Sequence, residues 1–244
     1  MTQTAAILII GNEILSGRTQ DTNIQYLARR LNELGICVPF ACVIPDEVPV
    51  IVKTVRDLVA AHTYVFTTGG IGFTHDDKTA ASLAEAFEVA VEEHPEALRR
   101  LTSHYGADLN EARRRMALMP AGSVLIDNPV SKAPAFQIHN VFALAGVPVV
   151  MQAMFESLIG RLTTGAPIQY ATVSCGLMEG LIADELARLQ DRHSEVEIGS
   201  YPYFKSGTWG VSLVMRGIDQ DAIASATRDV MAMVRDLGGE PEVV

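Results

Sequence analysis

Three short apolar runs separated by two stretches of helical periodicity fill less than the first 70 residues, and that alternation leaves few folds open. Ala5-Ala6-Ile7-Leu8-Ile9-Ile10 is unbroken and closed by Gly11, the pattern of a strand buried on both faces. A helix follows, with Asp21 or Thr22 to cap it, apolar positions at Ile24, Leu27, Leu31 and Leu34, and Gly35 to end it. Residues 36–44 read as a second strand stopped by Pro45-Asp46, residues 48–61 as a helix with Pro49 in its first turn, and residues 64–67 as a third strand. The order β-α-β-α-β implies a three-layer α/β domain around a mostly parallel sheet, and such sheets bind ligands at the carboxyl ends of their strands. Asn12 and Glu13, Asp46, and the segment after Thr67 all fall at such ends.

Beyond this core, helices are predicted over residues 78–90, 95–104, 110–118 and 148–162, with short strands over 123–126, 136–138 and 141–144. Residues 163–169, rich in Thr, Gly and Pro, have the composition of a linker. A smaller domain over residues 170–244 follows in the order β-α-β-β-α, which predicts an α+β sandwich with a frayed tail after Gly238. The first domain thus spans residues 1–162.

The segment Thr67-Thr68-Gly69-Gly70-Ile71-Gly72-Phe73-Thr74-His75-Asp76-Asp77-Lys78-Thr79 carries most of the chemistry. Gly69, Gly70 and Gly72 let the backbone approach a ligand and turn several N–H groups into one concavity, to which the next helix adds its positive end. The segment fits neither phosphate loop of known spacing, because Asp77 replaces the glycine before Lys78-Thr79 and His75 replaces the third glycine of a dinucleotide fingerprint. Two carboxylates beside an anion cradle call for a cation, so Asp76 and Asp77 read as ligands of a divalent ion or of its water. Helix capping accounts for the same residues without a ligand. Asn12 reads as a turn former or a site residue, Glu13 as a candidate at a strand end, and His75 as an exposed loop histidine.

Nineteen basic against 29 acidic side chains give a net charge of −10, which argues against a nucleic-acid partner but leaves small anions open. The apolar runs are too short to span a membrane and no secretory leader is seen, so the expected location is cytoplasmic. Cys37, Cys42 and Cys175 form no paired motif and read as buried small hydrophobes. The cluster Tyr201-Pro202-Tyr203-Phe204 with Trp209 reads as a hairpin whose aromatic rings pack on a helix or a partner subunit.

Taken together, Gly11-Asn12-Glu13-Ile14-Leu15-Ser16-Gly17, Asp21-Thr22-Asn23, the Thr67–Gly72 run, Asp76-Asp77 with Thr79, Asn128-Pro129-Val130 and Gly146-Val147-Pro148 resemble the N-terminal domain of the CinA (competence/damage-inducible protein A) family. The resemblance covers roughly residues 4–160 and implies the molybdopterin-binding MoaB/Mog fold, followed by the small KH-like domain of CinA proteins and without room for their deamidase domain. It implies cleavage of a nucleotide diphosphate of the ADP-ribose or FAD type, with a divalent metal ion (Mg or Co) and release of AMP. Alternatives are adenylylation of molybdopterin, or a nucleotide- or pterin-binding module without turnover. It also implies that Asp46 and Asp77 are the two functional carboxylates, with Asp46 joining Asp76 and Asp77 around the metal. Thr68, Gly69, Gly70, Gly72 and Thr74 would hold the diphosphate, and Ser131 and Lys132 a phosphate or sugar. Members of this fold form dimers or trimers, so a homo-oligomer is expected. The chain departs from the family pattern at Phe73, at Ser131-Lys132 in place of Gly-Thr, at Ala135, and at Val150, where an acid is usual.

Overall fold

The structure, a computed structural model, describes residues 3–205 and 207–244. Met1 and Thr2, expected to run without a leader into the first strand, lie outside the described residues. The chain divides into two compact units, residues 1–165 and 166–244.

The first unit runs β1 (Thr4–Ile10), α1 (Asn12–Leu15), α2 (Asn23–Glu33), β2 (Cys37–Ile44), α3 (Val48–Ala61), β3 (Tyr64–Thr68) and α4 (Thr79–Ala86). It continues with β4 (Val91–Glu93), α5 (Pro95–Tyr105), α6 (Glu111–Arg114), β5 (Leu118–Pro120), β6 (Val124–Ile126), β7 (Ala135–Ile138), β8 (Val141–Leu144) and α7 (Pro148–Leu158). Its main sheet has the order β2-β1-β3-β8-β7-β6, parallel from β2 to β8 and antiparallel thereafter. Because successive side chains alternate faces, β1 feeds two cores at once. Ala6, Leu8 and Ile10 pack with Ile51, Val55 and Leu83 from α3 and α4, while Ala5, Ile7 and Ile9 pack with Leu27, Leu31 and Phe155 from α2 and α7. Phe66 and Phe142 stack at 5.0 Å in the second core, a pairing that adds about 0.5–1.5 kcal/mol to their burial.

Local signals explain most boundaries. The Asp21 carboxylate, not the Thr22 hydroxyl, caps α2 by accepting the Ile24 N–H at 2.9 Å. Gly35 (φ 70°) ends it, with Ile36 N–H donating to the Leu31 carbonyl in a Schellman turn. The helix expected over residues 78–90 stops at Ala86 because Glu88, at φ 58°, makes the left-handed turn that glycine usually makes, with Val89 N–H donating to the Ala84 carbonyl. The helix expected over 110–118 likewise gives way after Arg114 to a 3-10 turn and to β5, which pairs with β4. The short helix α1 was not expected. Of the connector expected over residues 163–169, Thr163 donates to the Tyr64 hydroxyl and Gly165 to the Leu34 carbonyl, so its start is tied to the first unit.

The second unit runs β9 (Gln169–Cys175), α8 (Glu179–Arg192), β10 (Glu197–Lys205), β11 (Thr208–Gly217), α9 (Gln220–Asp236) and β12 (Glu242–Val243). Its sheet, ordered β10-β11-β9-β12, is wholly antiparallel. Val211, Leu213 and Met215 face Ile182, Leu189, Val230 and Val234 of the two helices. The tail expected to fray instead pairs as β12 with β9. Phe204 and Trp209 pack on each other at 4.9 Å and stay more than half exposed, so of the two expected places for these rings, a helix or a partner subunit, the helix does not bury them. Of the cysteines only Cys175 is buried; Cys37 and Cys42 sit half-buried on the edge strand β2, where desolvation pushes the Cys42 thiol upward. No helix among the described residues is long and apolar enough to cross a membrane.

Candidate active site at the strand ends

The parallel registers, with Ile9 beside Thr68, Ile10 beside Ile44 and Thr68 beside Leu144, bring the carboxyl ends of β1, β2, β3 and β8 to one edge. A cleft of about 640 Å³ opens there, within the range of small-molecule sites.

The glycine loop forms one wall. Gly69 (φ 100°) and Gly70 (φ 66°) are left-handed, and a Cβ would lie 2.2 Å from the Ile10 carbonyl oxygen at Gly69 and 2.3 Å from Thr79 Oγ1 at Gly70. Thr79, the first residue of α4, fastens the loop from behind: its hydroxyl donates to the Gly69 carbonyl at 2.8 Å and its N–H to the Gly70 carbonyl at 3.0 Å. The N–H groups of Gly70 and Ile71 find no acceptor among the described residues, which leaves two donors for an anion.

Asp77 organises the far side of this loop. Its Oδ1 accepts the Gly72 N–H at 2.7 Å, and its Oδ2 accepts the Thr74 N–H at 2.7 Å and the Thr74 hydroxyl at 2.6 Å. Thr74 Oγ1 also lies in hydrogen-bond contact with Asp76 Oδ1, and one hydroxyl proton serves only one of the two carboxylates at a time. That hydroxyl, followed by a backbone N–H, holds the Asp76 carboxyl below the usual carboxylate range.

Asp46 ties three strand ends together. Its Oδ2 accepts the Asn12 N–H at 2.8 Å, and its own carbonyl accepts the Lys78 ammonium at 3.0 Å. The turns after β1 and β2 and the loop after β3 are therefore one hydrogen-bonded assembly. The opposite wall comes from the loop over residues 128–133. There Asn128 accepts the N–H groups of Val130 and Ser131 through Oδ1 and donates through Nδ2 to the Ser131 hydroxyl and the Ala133 carbonyl.

Eight of the anticipated residues meet at the cleft: Glu13, Asp46, Gly69, Gly70 and Gly72 with Asp76, Asp77 and Ser131. Four do not line it. Thr68 is fully buried behind the loop and its hydroxyl accepts the Asn23 amide, because strand alternation turns it into the sheet face and not along the strand axis. The Thr74 side chain is spent on Asp76 and Asp77. Asn12 contributes a backbone N–H, not its side chain. Lys132, at φ 64°, lines a neighbouring depression with Arg99, Arg100 and His104. Sequence reasoning assigned no role to Asn128, whose Asx-turn chemistry before Pro129 was the available signal, or to Asn23, whose partners lie far along the chain. Ile10, Ile71, Met116, Val150 and Met154 give the cleft an apolar side.

Among the described residues no group of three or more His, Cys, Asp or Glu side chains stands close enough to hold a metal ion by itself. Asp46 keeps Oδ1 free of any partner among the described residues, and Asp76 borders the same cleft. That donor set fits a magnesium-like ion held by one or two carboxylates plus ligand phosphates, and does not fit a resident all-protein site.

A three-layer α/β unit with its cleft at the strand ends defines the class. Residues 6–164 match the family model described as the probable molybdopterin binding domain, and residues 167–238 match that of the FAD synthase middle domain. The structure of CinA from Thermoplasma acidophilum superposes with a TM-score of 0.61 at 30% identity, over 65% of this chain and 98% of that one. The chain belongs to the molybdopterin-binding-domain family and is a CinA-like member of it. A protein of Archaeoglobus fulgidus is 35% identical over 94% of this chain and 97% of its own length. A probable FAD synthase of Caenorhabditis elegans is 33% identical over 94% of this chain, which spans 50% of that protein.

Proposed function

We propose that the cleft binds a nucleotide diphosphate of the ADP-ribose or FAD type and hydrolyses it, releasing AMP. The observation that carries this reading is the juxtaposition, at one edge, of two acceptor-free loop N–H groups with the carboxylates of Asp46, Asp76 and Asp77. The similarity to a probable FAD synthase supports chemistry on a nucleotide.

The Gly70 and Ile71 N–H groups, reinforced by the N-terminus of α4, would take the diphosphate oxygens. A divalent cation arriving with the substrate would be shared between those oxygens and the carboxylates of Asp46 and Asp76, and would supply charge neutralisation on the diphosphate. Asp77 acts at one remove by fixing the loop. Ser131 would meet a phosphate or sugar on the opposite wall, and Lys132, just outside, would reach a distal anionic group. In the reaction, water oxygen bonds to one phosphorus, the bridging P–O bond breaks, and the bridging oxygen leaves on the other phosphate as the water proton passes to solvent. Such displacement depends mainly on positioning and charge neutralisation, which is what these residues offer.

A second reading is favoured by Val150, which lines the cleft without an acid. It is a binding module for a nucleotide or pterin that does not turn over. Incubation with ADP-ribose or FAD and magnesium or cobalt, followed by chromatographic measurement of AMP, separates the two. AMP formation supports the hydrolase; undiminished calorimetric binding without AMP overturns it in favour of the module. Adenylylation of molybdopterin by ATP overturns both.

A further inference from the structure

Behind Gly69 lies a recess of about 60 Å³ that shares Ile10, Glu13, Thr19, Gly69 and Gly146 with the main cleft. It is far too small for a whole nucleotide but larger than the ~30 Å³ share of one liquid water. Its polar wall has one character. Asn23, 4% exposed, donates both Nδ2 hydrogens, to the Gly146 carbonyl at 2.9 Å and to Thr68 Oγ1 at 3.3 Å. The carbonyl can only accept, so the orientation of the amide is fixed, and Asn23 Oδ1 is left buried with no donor among the described residues. A buried acceptor left unmet is unfavourable, so it marks a place where a donor belongs.

The neighbours repeat the pattern. Asp21 spends Oδ1 on the Ile24 N–H and keeps Oδ2, while the Glu13 carboxylate folds back over Gly11, so close that a Cβ there would lie 2.8 Å from it. Among the described residues no lysine or arginine lines the recess. Two carboxylates and an orphan amide oxygen repel phosphate and accept N–H groups.

We infer that this recess is a specificity subsite for the donor edge of an amino-substituted heterocycle, the exocyclic amine of the ligand's base, whose diphosphate lies on the glycine loop. This rests on the reading of the cleft as a nucleotide-diphosphate site and names the feature by which it selects the base. The adenine of an ADP-type substrate and the 2-amino edge of a pterin share this chemistry. Asn23 is then a specificity residue that touches the base and not the reacting phosphorus.

The test varies the ligand, so that it does not depend on a buried variant folding. Calorimetry on the full chain with magnesium compares ADP-ribose with its inosine counterpart, in which a carbonyl replaces the amine, and pterin with lumazine, in which a carbonyl replaces the 2-amino group. Binding about 10- to 100-fold weaker for the inosine compound supports an adenine-reading subsite, and the same loss from pterin to lumazine supports a pterin-reading one. Equal affinities within both pairs overturn the inference even if AMP is released from ADP-ribose. AMP release failing while an amine preference persists overturns the hydrolase and leaves the subsite standing. In Asn23→Ala, checked for folding by its thermal melt, the amine-to-carbonyl ratio should collapse toward one whatever the absolute affinity; an unchanged ratio overturns the role of Asn23.

Discussion

The two sheets of this chain handle their strand ends in opposite ways. In the first unit four parallel strands, β2, β1, β3 and β8, all finish on one edge, so loops remote in sequence meet there with unspent N–H groups and carboxylates. In the second, antiparallel pairing sends successive ends to opposite edges, and the side chains of β11 alternate between Leu213 in the core and half-exposed Ser212 and Val214. Parallel topology concentrates chemistry at an edge, whereas the antiparallel sheet spreads its polar groups over a face. Substitutions should therefore be far costlier at the edge of the first sheet than on the hairpin of the second.

The sharpest way to break that contrast is Gly69→Ala. A methyl group 2.2 Å from a backbone oxygen at φ 100° should cost about 3 kcal/mol or more, read by urea denaturation, and abolish ligand binding. A mild effect would mean that the loop is not held as described. Next is Asp77→Asn, whose amide would oppose one of the N–H donors from Gly72 and Thr74. Turnover should fall about 100-fold through misplacement of the loop, with ligand affinity falling alongside it in calorimetry. Retained affinity with lost turnover would instead place Asp77 on the reacting groups.

Asn128→Ala removes four hydrogen bonds from the opposite wall and should cost about 1–3 kcal/mol, with faster proteolysis of the loop over residues 128–133. A smaller effect is expected at Glu96, which Arg99 and then Arg100 lower from the ordinary glutamate value of 4.5 to about 2. A depressed carboxyl contributes stability that is present above the ordinary value and lost as pH falls from there toward about 2. Acid titration of Glu96→Gln should accordingly show a shallower loss over that window than the parent. The least effect belongs to the second unit: Trp209→Ser, more than half exposed, should leave stability within about 0.5 kcal/mol and ligand binding unchanged. If sedimentation showed that it dissolved an oligomer, the hairpin would be an interface.

What could be read in advance follows from how local each signal is. The β-α-β-α-β core was legible because β1 is apolar on both faces and because Gly35 ends its helix where glycine should. The β4–β5 pair was not, since three-residue strands with Val91 and Leu118 exposed carry no periodicity, and Glu88 terminates α4 without a glycine to announce it. At the site, Gly69 and Gly70 were legible as backbone that comes close to a ligand, and their left-handed φ values emerged only from the structure. The inward turn of both Asp77 oxygens was not, because it depends on the path the loop takes after Gly72. The family resemblance placed Thr68 on the ligand, but strand parity aims it at Asn23. Asn23 in turn reads as a helix-start residue until the chain brings Gly146, 123 positions away, against it.

The bond from Asn12 N–H to Asp46 gives the molecule a reporter of its own. A single amide proton, held by a carboxylate at the mouth of the cleft, sits where the turns after β1 and β2 meet. Any cation or phosphate that draws on Asp46 must alter the charge felt by that proton. The Asn12 resonance in a nitrogen-correlated NMR spectrum would register occupancy of the site directly, with no label attached and no turnover required.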